Sequence, residues 1–203
     1  MKYLIPPSEG KSKIKGSEAK FKDTNFIFER HVNQVVRLLE LIDEEDLTSI
    51  YGSSQEKSLA FHRQNQDVFN SKCAPAINRY TGVVYKNLDW ESFNQSERKF
   101  MDQHFYIFSG LFGLLTPLTP IPDYKLKINV LSLSYHWNEI ISKTLMKEDL
   151  IIEAEKILHG HVKYFSHHWN NVGNPPVWFN NPFNNKRLDN NKKHWINIPD
   201  FNT

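Results

Sequence analysis

Cysteine is almost missing: Cys73 is the only one in 203 residues. That excludes an internal disulfide and fits a reducing compartment. Long apolar runs are missing as well. None approaches the roughly 20 residues a membrane-spanning helix needs. Met1 to Ile5 meets Pro6-Pro7 before a secretory apolar region can build. A cytoplasmic location, away from the membrane, is the expectation from these absences. Neither sign of charge dominates, the net being +2. Residues 1–160 carry 20 Lys and Arg against 21 Asp and Glu, and residues 161–203 carry 5 against 2. Bulk charge therefore makes no case for nucleic acid, and any such binding has to come from a local patch. No internal repeat is present. What is there is an ordinary globular composition, 39% hydrophobic and 24% charged, in a chain long enough for one domain with a real core.

The stretch His104 to Leu126 looks like the organising centre. Phe105 to Phe108 has the β-branched and aromatic composition of a buried strand. Ser109-Gly110-Leu111-Phe112-Gly113 then sets two glycines three apart, where the backbone can turn sharply or lie against another surface. Pro117, Pro120 and Pro122 stop a helix and impose an extended path. Tyr124 to Ile128 returns to strand-like alternation.

Lys2 to Ile5 reads as a first strand. The loop Pro6-Pro7-Ser8-Glu9-Gly10-Lys11-Ser12 invites a phosphate-loop reading, but the glycine that motif needs five residues before Gly10 is Ile5. A turn exposing Lys11, Lys13 and Lys15 is the better expectation. It lies in a patch of six lysines and two acids between Lys2 and Lys22. Asp23-Thr24-Asn25 offers caps for a helix whose face is Phe28, Val32, Val35, Val36, Leu39 and Ile42. Ser53 to Glu56 has a capping-box pattern and predicts a helix to about Phe69. Cys73, with no nearby cation in sequence, reads as a packing residue. Tyr80 and Tyr85 flank Thr81-Gly82, with Arg79 alongside, as an aromatic pair beside a turn. Asn94 with Glu97 caps a further helix. Trp137, Ile140, Ile141 and Leu145 mark the next, and Leu150 to Ile152 a last strand. The irregular alternation predicts a mixed α/β (α+β) class.

From His159 to Thr203 the character changes. Residues 161–203 hold eleven asparagines and three tryptophans, Trp169, Trp178 and Trp195, without sustained periodicity. The expectation is a body over residues 1–158 and a poorly ordered tail over 159–203. His159, His161, His167 and His168 lack a carboxylate or cysteine at ligand spacing, so no metal and no cofactor is expected.

These pieces, in order, resemble the YaaA family of bacterial peroxide-stress-response proteins. They are the first strand running into Pro6 to Lys11, Arg79-Tyr80-Thr81-Gly82 with Tyr85, Ser109 to Leu115 with Pro117, Ile121-Pro122 with Tyr124-Lys125-Leu126, and Trp137. The resemblance implies a single α/β domain whose mixed sheet is flanked by helices, with a helix-hairpin-helix-like element and a basic cleft. It also implies sequence-independent binding of double-stranded DNA, and limitation of iron-dependent oxidative damage. On that reading Lys11, Lys13, Lys15, Arg79, Ser109, Gly110, Gly113 and Lys125 face phosphates, the glycine corner offering its amides at a helix start. The alternative for that corner is a turn whose glycines serve close packing. Pro7, Ser8, Tyr80, Thr81, Gly82, Tyr85 and Tyr124 form the motif pocket. A rival reading is an enzyme acting on a nucleotide or nucleic-acid base through Ser8, Lys11, Arg79 and Tyr80, although Glu9 and Asp123 have no evident partners. The chain departs from the family's pattern at Thr116, commonly basic, at Lys125, commonly arginine, and after about Lys163, where the tail looks like a shifted reading frame.

Overall fold

The computed structural model describes residues 2–147 and the backbone of residues 151–153. The tail expected over 159–203, with its histidines and tryptophans, lies outside the described residues. The elements run β1 (Lys2–Ile5), α1 (Glu29–Glu40), α2 (Leu47–Tyr51), α3 (Gln55–Gln66), β2 (Ala74–Pro75), α4 (Ala76–Arg79), α5 (Val83–Leu88), α6 (Gln95–His104), β3 (Phe105–Ser109), β4 (Gly113–Leu115), β5 (Pro120–Ile121), α7 (Leu133–Leu145) and β6 (Ile151–Glu153).

The main sheet has the order β4-β3-β1-β6, with β1 parallel to both β3 and β6 and β4 antiparallel to β3. The mixed α/β class is therefore as expected. Parallel strands buried on both faces read as continuous apolar runs, and Tyr3, Leu4 and Ile5 are all buried. Register is pinned by Tyr3 opposite Phe105, whose rings stack at 4.7 Å. The proline segment builds a second, two-residue antiparallel ladder, β2 with β5, in which Pro75 faces Pro120.

The glycine corner is the turn of the β3–β4 hairpin, and no helix begins there. The expected helix-hairpin-helix-like element therefore does not form at this corner. Three contacts explain why. The Ser109 hydroxyl accepts the Phe112 N–H at 2.9 Å and so caps the turn. A Cβ on Gly110 would stand 2.6 Å from the Leu126 carbonyl oxygen. Gly113, at φ +74°, lies so close beneath the Trp137 ring that a Cβ would overlap it. Trp137 is fully buried and donates its indole N–H to the Gly110 carbonyl at 2.9 Å.

Helix α1 buries Val32, Val35, Val36 and Leu39 as its periodicity predicts. It starts at Glu29 behind an uncapped Phe28, because Phe21 to Asp23 form a separate 3-10 turn that takes the expected capping residues away from it. The capping box expected over Ser53 to Glu56 is displaced: the helix opens behind Ser54, which makes no side-chain cap bond, and α3 stops at Gln66. The box at α6 does form: Asn94 Oδ1 accepts from the amides of Ser96 at 2.9 Å and Glu97 at 3.0 Å, and Glu97 returns the bond to the Asn94 amide at 2.7 Å. Tyr124 to Ile128, expected as a strand, belongs to no ladder. Its burial alternates like a strand's, but the side chain of Asn65 on α3 supplies the missing partner. Asn65 accepts the Lys125 N–H at 3.0 Å and donates to the Lys125 carbonyl at 2.8 Å.

Candidate functional site

Strands β1 and β3 run parallel, so Ile5 and Ser109 end at the same edge of the sheet, the edge beyond which open α/β sheets bind ligands. The loop after β1 is clamped there to the segment between α4 and α5. The Thr81 amide donates to the Gly10 carbonyl at 3.1 Å, and the Ser12 amide to the Arg79 carbonyl at 2.6 Å. The Ser8 hydroxyl donates to the Thr81 carbonyl. A Cβ on Gly10 would come within 2.5 Å of Thr81 Oγ1. Gly82 takes φ +119°, which favours glycine. The pairing takes up the Ser12 amide and the Gly10 carbonyl of the loop, while the spacing, with Ile5 in place of the first glycine, speaks against a phosphate loop.

Beneath the loop lies a floor of tyrosines. Tyr80 and Tyr85 stack at 5.3 Å, and Tyr85 donates to the Pro6 carbonyl at 2.9 Å. The Tyr80 and Tyr124 hydroxyls share a hydrogen bond of 2.7 Å, and Tyr124 and Ser109 another of 2.8 Å. All four hydroxyl-bearing residues are buried. Burial pushes the Tyr80 phenol up to about 12 and Tyr124 and Tyr85 well above the usual range, so the floor stays neutral.

Lys11 lies on this floor. Its Nζ is 4.1 Å from the Tyr124 ring centre and 5.2 Å from that of Tyr80, and it donates to the Ser8 carbonyl at 3.1 Å. Burial, and then the neighbouring Lys125 ammonium, lower the amine to about 7, against the opposing pull of Asp123 and Glu9. At the rim Glu9 bridges two more lysines: its Oε1 is 3.0 Å from Lys127 Nζ and its Oε2 4.0 Å from Lys125 Nζ, which also donates to the Glu9 carbonyl at 3.2 Å.

The structure thus brings together Pro7, Ser8, Lys11, Tyr80, Thr81, Gly82, Tyr85, Tyr124 and Lys125, and leaves Lys13 and Lys15 exposed on the same loop. Three corrections follow. Lys11 is half-buried rather than displayed on a turn. Ser109, Gly110 and Gly113 are sealed in the core and hold Tyr124 and Trp137 instead of facing phosphate. Arg79 is 3% exposed, and its guanidinium is committed to the carbonyls of Ile14 at 3.0 Å and of Lys72 and Ile121 at 3.2 Å each. Lys127 and the pairing of Glu9 escaped the sequence reading. The signal for Lys127 was its place two residues after Lys125 in an alternating stretch, which sets both on one face. Cys73 is buried, and burial raises its thiol to about 11, as befits packing. Among the described residues no group of three or more His, Cys, Asp or Glu stands ready for a metal, and no helix is long and apolar enough to cross a membrane.

Comparison with known proteins adds the family. The model of "Peroxide stress protein YaaA" matches residues 1–169. The chain belongs to the YaaA family. Its relatives include "UPF0246 protein" of Rickettsia felis, 30% identical over 61% of this chain and 52% of the relative. That of Crocosphaera subtropica is 30% identical over 63% and 54%, and that of Finegoldia magna 27% over 77% and 64%. The chain spans about half the length of the first two. The family match runs past the expected boundary at residue 158, into the part beyond the described residues.

Proposed function

We propose that the chain serves the peroxide stress response by holding double-stranded DNA without sequence preference and limiting iron-dependent damage to it. The observation that carries this reading is the convergence of lysines on one loop. Lys125 and Lys127 meet Glu9 of the loop that bears Lys11 and the exposed Lys13 and Lys15. The sealed glycine corner supports this surface from below, because Tyr124 connects Ser109 to the ring face under Lys11. Binding at such a face is electrostatic and releases counterions, with log K falling by about 0.9 per phosphate neutralised for each tenfold rise in salt. Replacing Lys13, Lys15, Lys125 and Lys127 together by Gln is expected to flatten that dependence by about 2 to 4. A salt titration of duplex affinity measures it; an unchanged slope, or no affinity in the parent chain, overturns the reading.

A second reading, an enzyme with its site on the tyrosine floor, is favoured by one observation. Lys11 is held half-buried with the Lys125 ammonium nearby, and burial with a neighbouring cation suits an uncharged amine.

A further inference from the structure

A lysine meant only to grip phosphate gains nothing from half-burial beside a second ammonium, Lys125, both of which disfavour its charge. Lys11 donates to the neutral Ser8 carbonyl, while the Glu9 carboxylate is engaged by Lys127 and Lys125. Its amine therefore stands at the carboxyl ends of β1 and β3 with cations at the rim and aromatic faces beneath. We propose that Lys11 forms an imine with the aldehyde of a phosphorylated sugar, while Lys125 and Lys127 face the phosphate, which competes with Glu9 for them. This rests on the second reading above. The groups that face the amine are Lys125, Asp123 and Glu9. Lowered to about 7, the amine is uncharged in a substantial fraction of molecules at neutral pH, and imine formation requires that free lone pair.

The step balances without an oxidant or reductant. The Nζ lone pair attacks the aldehyde carbon to give a carbinolamine. The C–O bond then breaks, the oxygen leaves as water with the two hydrogens the neutral amine carried, and a C=N bond remains. Two sources share this chemistry: a free aldose phosphate, and the aldehyde at an abasic position in duplex DNA, which is flanked by phosphates.

Trapping tests it. The full chain is incubated with cyanoborohydride and either 2-deoxyribose 5-phosphate or a duplex oligonucleotide with one abasic position, then analysed by intact mass and peptide mapping. A single adduct on the Lys11 peptide, lost in Lys11→Arg, is the expected result with at least one probe. Adduct with the duplex alone identifies DNA as the source, and adduct with the free sugar identifies a small-molecule substrate. No adduct with either probe, or adduct spread over Lys13 and Lys15, overturns the proposal. Mapping on the parent chain decides the matter even if Lys11→Arg fails to fold. Retained affinity for intact duplex without any adduct sinks the imine alone. A free-sugar adduct without duplex affinity sinks DNA holding alone.

Discussion

Lys11 and Arg79 are both basic and both sit near the loop after β1, yet their surroundings give them opposite roles. Arg79 spends its planar fork on three backbone carbonyls and so becomes part of the scaffold. Lys11 donates to one backbone carbonyl, that of Ser8 at 3.1 Å, and keeps its amine on an aromatic surface. Its titration makes a stability prediction. The unfolded amine titrates near 10.5 and the folded one at about 7. Between those values the unfolded chain holds the proton and the folded chain does not, so stability rises with pH across that window, and the full penalty is present below it. Lys11→Met removes the penalty. In urea unfolding the variant's advantage over the parent is expected to be largest below about pH 7 and to shrink towards about pH 10. A constant difference across that range overturns the assignment of a lowered Lys11. The identity of these residues was legible in the sequence. Their protonation and commitments were not, because both depend on burial by segments distant along the chain.

Helix starts show how far local patterns reach. Three capping signals stand in the sequence, near Thr24, over Ser53 to Glu56 and at Asn94, and only the last makes its bonds. Asn94 opens a helix from an exposed turn where nothing competes for its side chain. The chain before α1 is instead drawn into the core by Phe21, fully buried against Phe112 with ring centres 5.0 Å apart. Asn94→Ala is expected to cost about 1 kcal/mol, and Ser54→Ala no more than a few tenths. Urea midpoints of the two variants check this, and equal losses would contradict the cap assignment. The same competition explains Tyr124 to Ile128. Its alternation is that of a strand, but Asn65 occupies the hydrogen-bonding groups of Lys125 before any strand can. A pattern of period 2 predicts an extended chain with two unlike faces, and leaves its partner open.

For the whole molecule, the joints matter more than the elements. Arg79 links the lysine loop at Ile14, the chain at Lys72 and the proline ladder at Ile121. Lysine at that place cannot reach three diverging carbonyls. Each buried carbonyl left unpaired costs about 1–3 kcal/mol, so Arg79→Lys is expected to lose on the order of 3 kcal/mol. Chemical denaturation measures that loss. Duplex affinity of the folded variant should stay near the parent's, because the guanidinium faces backbone and not solvent. A variant of normal stability that fails to bind duplex would return Arg79 to the binding surface.

The sequence by itself determined the class, the central strands β1 and β3, the apolar face of α1, the pairing of Tyr80 with Tyr85 and the family. Each rests on short-range periodicity or on motifs read in order. Only the tertiary structure decided that the glycine corner supports the surface from inside, that Arg79 is a strut, and that Glu9 joins Lys125 and Lys127 beside Lys11. Those outcomes turn on which chain segments meet, and burial and pairing across more than a hundred residues leave no periodic trace in the chain that makes them.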